Sequence, residues 1–432
     1  MKLIFRLMSC LFLLSFHSSV HATATAAPSL EQIWELVQAQ QKTIADLQSR
    51  LARAEGKAVE TTAQIEATAA VVEQVSLAPT AKHSRTTVGG YGELHYNNLD
   101  DDREDVGGDD SLSRADFHRF IIFLGHEFND RLRFFSELEV EHALVAGDGS
   151  SDGEVELEQA WMELDLSTSH HLRAGVDILP VGIINTTHEP NTFYGVERNR
   201  VETEIIPATW WEAGLALRGE LAPGWNYDAV LHSGLAAPTT GDDPFRPRSG
   251  RLKVSEADDQ DAAFTGRVRY TGIPGLEAGL SAQYQRDYTG TADDVDMDAT
   301  LLEAHVDWKH RSGFGLRALY ARWDLGRDGG VDPGMVNADD LAGWYVEPAW
   351  RLPLPGDVLG EIGVFARYSE WDERNRLPAP DFRYEEYQQF ALGFNWWPHP
   401  NVALKFDVQW EDADGNVDQT LDGINVGLGY QF

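Results

Sequence analysis

From Thr87 to Phe432 the chain is a series of strand-length runs in which apolar and polar residues alternate, and the gaps between runs are alternately short and long. A period of two places successive side chains on opposite faces of a strand. Val402, Leu404, Phe406, Val408 and Trp410 alternate with Ala403, Lys405, Asp407, Gln409 and Glu411. Phe390, Leu392, Phe394 and Trp396 alternate with Gln389, Ala391, Gly393 and Asn395. Leu132, Phe134, Leu138 and Val140 alternate with Arg133, Phe135, Glu137 and Glu139. Such a chain makes sheets with one apolar face, and any open sheet edge would have to be protected.

The series opens with Val88–Tyr96 and closes with Gly423–Phe432, and sixteen strands are expected in all. Seven hairpins between them have short connections: Asn129–Arg131, Ser167–His171, Leu221–Gly224, Gly272–Gly275, His310–Gly313, Pro353–Asp357 and Trp397–Asn401. The remaining connections, Asn97–Ala115, Ala143–Gly153, Gly182–Trp210, Gly234–Ala262, Asp287–Asp298, Asp324–Asp339, Asp372–Arg383 and Asp412–Leu421, are long and mostly polar. Short turns at one end and long loops at the other are the pattern of an outer-membrane barrel. The expected fold is all-β and transmembrane: a sixteen-stranded antiparallel β-barrel over 87–432. A soluble sandwich also alternates, but secretion, strand length and loop asymmetry favour the barrel. Glu154–Leu166 changes phase near Gln159, which implies either a bulge or a different facing there.

A net charge of −35 opposes nucleic-acid binding, and a mean hydropathy of −0.35 opposes a bundle of membrane helices, though not a barrel. Lys2 and Arg6, the apolar run Leu7–Phe16 and Val20-His21-Ala22 read as a signal peptide over 1–22. The single cysteine, Cys10, falls within it. Over 23–59 a heptad pattern places Leu30, Val37, Ile44, Leu51 and Ala58 at one seam position and Ile33, Gln40, Leu47 and Ala54 at the other. It reads as a periplasmic coiled-coil stalk or as a lone amphipathic helix. Residues 60–86 read as a linker.

Two stretches carry a family resemblance. Arg133–Ala143, RFFSELEVEHA, is followed by GEVELEQAWMEL from Gly153 and by RAGVDILPVGIINTTHEPNTFYGVERNRVETEIIPATWWEAG from Arg173. These resemble the phosphate-selective porin O/P family of trimeric outer-membrane channels, most strongly over Thr87–Gly219. The resemblance implies a sixteen-stranded barrel, a homotrimer, and a long third loop, here Gly182–Trp210, folded into the pore. It implies passive diffusion of small hydrophilic solutes and ions, with anions such as phosphate selected by an arginine ladder and a lysine cluster. This chain departs from that pattern in being acidic and poor in lysine.

The candidate pore-lining residues are Arg119, Arg173, Arg218, Arg267, Arg269, Arg317, Arg367 and Lys405, with Glu137, Glu139 and Glu141. Glu137, Glu139, Glu141, Glu154, Glu156 and Glu158 sketch an acidic wall on strands three and four. Arg267, Arg269, Arg317 and Arg367 sketch a basic wall across from it. Opposed walls would set up a transverse field; the plainer expectation is that these residues pair and stiffen the barrel. The candidate constriction residues are His188, Glu189, Tyr194, Glu197, Arg198, Arg200 and Glu202, unless the third loop stays at the surface. Tyr430 and Phe432 resemble the terminal assembly signal of outer-membrane barrels. No nucleophile elbow, P-loop or HExxH is present, and no enzyme, cofactor or metal is expected. The acidic runs at Asn97–Asp110 and Asp412–Asn416 read as solvated loop charge. Expected partners are outer-membrane lipid and lipopolysaccharide, the barrel-assembly machinery and small ions or solutes, in a Gram-negative outer membrane. Two alternatives remain: a sugar-specific channel, and an envelope tether whose coiled coil engages the cell wall.

Overall fold

In the computed structural model the chain closes a barrel of sixteen antiparallel strands, each bonded to its sequence neighbours and the first to the last. The strands are β1 Thr86–Asp101, β2 Leu112–Glu127, β3 Leu132–Glu141, β4 Val155–Asp165, β5 His170–Ile178, β6 Trp211–Ala222, β7 Trp225–His232 and β8 Ala263–Tyr270. They continue as β9 Leu276–Gln285, β10 Ala299–Lys309, β11 Phe314–Leu325, β12 Asp340–Pro353, β13 Glu361–Arg374, β14 Tyr384–His399, β15 Val402–Ala413 and β16 Leu421–Gln431. The structure describes residues 85–101, 111–143, 153–241, 244–255, 262–290, 297–326, 338–356, 360–374, 384–414 and 420–432, together with Trp34, Gln38, Gln41 and Lys42. The expected signal peptide and linker, and all but those four residues of the expected stalk, lie outside the described residues.

Closure follows from the solvent. A strand crossing hydrocarbon must bond its backbone on both sides, and only a ring leaves no edge. β16 meets β1 from Tyr91↔Gln431 to Asp101↔Leu421. Leu280, Leu302, Leu392, Leu404, Val426 and Phe390 point outward and are exposed, as a lipid-facing surface requires. Several strands run further toward the long loops than the alternation marks: β1 reaches Asp101 and β2 begins at Leu112. The ladder persists there while the side chains on both faces turn polar, so the pattern fades before the hydrogen bonds do.

The phase change in β4 is a bulge. Glu137 pairs with Gln159 and the next residue, Leu138, with Leu157, which leaves Glu158 as the extra residue. It turns Glu158 into the barrel, where it is fully buried.

Alternation alone leads to a polar lumen throughout. One side is apolar instead. Leu301, Leu319, Trp323, Leu341, Tyr345 and Trp371 face inward and pack against Val201, Ile205, Ile206 and Trp210 of the third long loop. The indole N–H of Trp323 donates to the Ile205 carbonyl at 2.8 Å. Loop three therefore has a hydrophobic footing inside the barrel.

Candidate functional site

Loop three, residues 179–210, leaves the end of β5, crosses the lumen and returns to β6. Its first arm is fixed by Glu202, which accepts the N–H groups of Ile183 at 2.8 Å and Ile184 at 2.6 Å, and the hydroxyl of Tyr345 at 2.7 Å. The segment 191–196 then lies along the wall made by β11 to β16. Trp397 donates to the Asn191 carbonyl, Arg317 to that of Thr192 at 2.8 Å, and Asn395 to that of Phe193 at 2.8 Å. The Val196 N–H donates to Asp407 at 2.7 Å. These bonds satisfy backbone groups that a loop crossing a barrel would otherwise leave orphaned.

Two glycines of β16 make the seat possible. A Cβ on Gly429 would meet Pro190 at 2.3 Å, and one on Gly427 would meet Val196 at 3.0 Å. These two lumen-facing positions of the last strand are bare because loop three presses on them.

The arginines of the basic wall are paired with nearby carboxylates, the plainer of the two arrangements expected. Arg267 meets Asp228 at 2.9 Å, Arg269 meets Glu277 at 3.2 Å, Arg317 meets Asp307 at 3.3 Å and Arg367 meets Glu347 at 3.2 Å. Arg218 bridges Asp177 at 2.6 Å and Asp228 at 3.4 Å. Arg173 meets Glu163 and Asp177 and lies 3.5 Å over the Trp161 ring. On the acidic side, Arg119 reaches Glu139 at 3.5 Å and Glu93 at 3.8 Å. Glu137 accepts from Gln159 and faces His188 at 3.4 Å. Glu141 ends β3, half-buried. Lys405 is buried, and its Nζ lies 3.4 Å over the Phe193 ring with no hydrogen-bond partner among the described residues.

The constriction candidates divide. Glu202 and His188 are buried in packing, so neither is an ion-facing group. Burial outweighs the hydrogen bonds at Glu202 and raises its pKa. Burial would lower the pKa of His188, but Glu137 and Glu158 raise it. Glu189 is half-buried beside Pro190. Glu197, Arg198 and Arg200 face a cavity of about 430 Å³ toward the long-loop end, with Arg246, Arg248 and Glu204. Tyr194 faces a second cavity of about 350 Å³ toward the short-turn end, with Arg317, Arg351 and Trp397. The two linings have no residue in common among the described residues, because loop three lies between them.

The upper cavity concentrates charge. Arg200 meets Glu373 at 2.8 Å and Glu204 at 3.6 Å. Against the cost of burial, Arg200, Arg246 and Arg248 bring the carboxyl of Glu204 down to about 2. Burial, then the neighbouring Arg251, bring Arg248 down to about 9.

Alternation signalled which side chains face inward but not what they do there. It passed over Asp228, Asp307 and Glu347, which neutralise arginines, and it placed Asn395 and Asp407 on the inward face without their part in fastening loop three. It also passed over a row of inward aromatics crossing four strands. Tyr91 and Phe123 have ring centroids 5.8 Å apart, Phe123 and Phe135 5.6 Å, and Phe135 and Trp161 5.3 Å. Their signal was an aromatic at an inward position on each of β1 to β4.

No family model matches the chain. Its fold is similar to an anion-selective porin from Comamonas acidovorans, with a TM-score of 0.52, 15% identity, and coverage of 81% of this chain and 100% of that one. It is also similar to OprB of Pseudomonas putida, with a TM-score of 0.51, 12% identity, and coverage of 80% and 94%. OmpF of Salmonella typhi, solved with daunomycin, gives a TM-score of 0.51, 13% identity, and coverage of 80% and 97%. These likenesses are of fold. In sequence, an uncharacterized protein of Aquifex aeolicus (strain VF5) is 31% identical over 353 residues, 78% of each chain. The chain thus has the porin-type sixteen-stranded barrel and belongs to one family with that uncharacterized Aquifex aeolicus protein.

Proposed function

We propose that this protein is an outer-membrane channel through which small hydrophilic solutes and ions diffuse passively. The observation that carries the reading is a closed barrel, apolar outside, whose charged interior is narrowed by loop three to cavities that include one of about 430 Å³, one of about 360 Å³ and one of about 350 Å³. Membership of the phosphate-selective O/P family, a trimer, the signal peptide, the periplasmic stalk, and contacts with lipopolysaccharide and the assembly machinery are parts of the same proposal. They rest on the sequence. Anion preference is supported by the arginines around the upper cavity and opposed by the local pairing of the wall. Reconstitution in planar bilayers tests the reading: discrete conductance steps with a measurable anion/cation permeability ratio are expected. A correctly folded barrel that passes no current and swells no liposome would overturn it.

One observation favours the second reading, a sugar channel. In the inward row Tyr91–Phe123–Phe135–Trp161, Tyr91 is buried and Arg173 covers one face of Trp161, and the half-buried rings of Phe123, Phe135 and Trp161 line the lumen where sugar rings can stack. Liposome swelling separates the readings: uptake of di- and trisaccharides faster than of amino acids of similar size, lost in Trp161→Ala, supports the sugar channel.

A further inference from the structure

We propose that Asp116, His118 and His142 form a binding site for a first-row divalent transition ion of the Zn²⁺ type at the rim of the upper cavity. Their ligand atoms all lie within 4.8 Å of one another. Nδ1 of His142 is 2.9 Å from both oxygens of Asp116, and Nδ1 of His118 is 3.4 Å from Oδ2. Zinc bonds of about 2.0–2.1 Å in tetrahedral geometry set neighbouring ligand atoms roughly 3.3 Å apart. The cluster matches that spacing after small rotations of the imidazoles.

Two backbone irregularities bring the three groups together. On β2 the register against β1 shifts between Glu93↔Arg119 and His95↔Asp116. The shift turns His118 to the lumen beside Arg119 and Asp116, as bulges re-aim side chains. At the end of β3, His142 takes a φ of 53°, a left-handed conformation uncommon outside glycine. Its N–H is bonded to the His118 carbonyl at 3.2 Å, and its ring swings back over Asp116.

The surroundings orient the rings and leave access. His95 stacks on His118 with centroids 4.6 Å apart, and is itself held between Glu93 and Glu197 at 3.0 Å each. Asp116 and His118 line the cavity, and the His142 side chain is 34% exposed, so an ion can arrive and a water can complete its coordination. Arg119 donates to Nε2 of His118 at 2.8 Å. With an ion on Nδ1 the ring proton sits on Nε2, so that contact opens and Arg119 keeps Glu93 and Glu139. Two other carboxylate–histidine groups suit an ion less well. Glu137 and Glu158 of the wall and His188 of loop three are sealed in the packing between them. Glu163 and Asp165 near His171 are already neutralised by Arg133 and Arg173.

The test is calorimetric titration of the purified, folded full chain with Zn²⁺ alone, with Co²⁺ absorption reporting tetrahedral nitrogen and oxygen ligation. Neither readout needs a conducting channel, so failure here is distinct from failure of the channel reading. Saturable binding is expected, weakened by more than about tenfold in His118→Gln/His142→Gln, since losing even a supporting group costs 10–100-fold, and unchanged in His171→Gln. If the double variant does not assemble, Asp116→Asn replaces it with the same expectation. No binding by the parent chain, binding retained in these variants, or loss in His171→Gln instead would overturn the site.

Discussion

Arg317 of β11 donates to the Thr192 carbonyl of loop three at 2.8 Å while its guanidinium also lies 3.3 Å from Asp307. A residue that reads in the sequence as an ion-facing charge is thus a fastener between wall and loop. Replacing it frees the Thr192 carbonyl and leaves the half-buried Asp307 to Lys309 alone, at 3.0 Å. Arg317→Ala is expected to raise unit conductance and current noise and to shift the permeability ratio toward cations. Bilayer recordings, with thermal unfolding on semi-native gels, check both effects; an unaltered conductance would show that loop three does not depend on this bond.

Arg267 and Asp228 are both buried and meet at 2.9 Å. If the pair is electrically neutral to passing ions, Arg267→Ala shifts selectivity toward cations, Asp228→Ala toward anions, and the double variant returns near the parent. Reversal potentials across a salt gradient measure all three. A double variant that stays as cation-shifted as Arg267→Ala would mean that Arg267 acts on ions in its own right.

Gly429 tests the seat of loop three in the opposite way. A valine there keeps a good strand residue but drives a side chain into Pro190, whose Cβ lies 2.3 Å from the position of the added Cβ. Gly429→Val should assemble and conduct more than the parent, because the corner at Pro190 is displaced. Equal conductance would mean the loop yields without widening the path.

The cluster at Glu204 sets an acid limit. Its pKa is depressed in the folded chain, from 4.5 to about 2, because Arg200, Arg246 and Arg248 outweigh burial. A depressed carboxylate stabilises above its unfolded pKa and loses that contribution as pH falls through the folded one. Contacts of loop three with Arg246 and Arg248 should therefore be intact above about pH 4.5 and fail progressively toward about pH 2. Hydrogen exchange of 197–206 against pH should show that loss, and Glu204→Gln should remove its pH dependence.

At the seam, the Phe432 N–H donates to Gly90 at 2.9 Å, and the Gly90 N–H donates to Phe432 at 3.1 Å. Deleting Tyr430–Phe432 removes the last bonds between β16 and β1. The fraction of heat-modifiable, assembled barrel should fall several-fold; normal assembly would show that closure is secured further along the strand.

The order of the strands was legible in the sequence. Alternation such as Val402 to Glu411 is local, and the short connections such as Asn129–Arg131 and His310–Gly313 allow only hairpins, so sixteen strands in meander order follow from neighbours along the chain. Their closure followed too, because a bilayer tolerates no open edge. The direction of Lys405, Arg317 and Arg367 into the lumen came with the same period. What they do there did not, because it depends on residues far away in sequence. Arg317 is set by Thr192, Arg367 by Glu347 and the Tyr194 carbonyl, and Lys405 by Phe193. The inward apolar face of Trp323, Tyr345 and Trp371 has its reason in loop three, which packs against it. Two-residue periodicity therefore determined the barrel and which side chains point into it. Only the tertiary structure decided which of those side chains are neutralised, which hold the loop and which still face a cavity, because charges act across space and burial is decided by what packs on top.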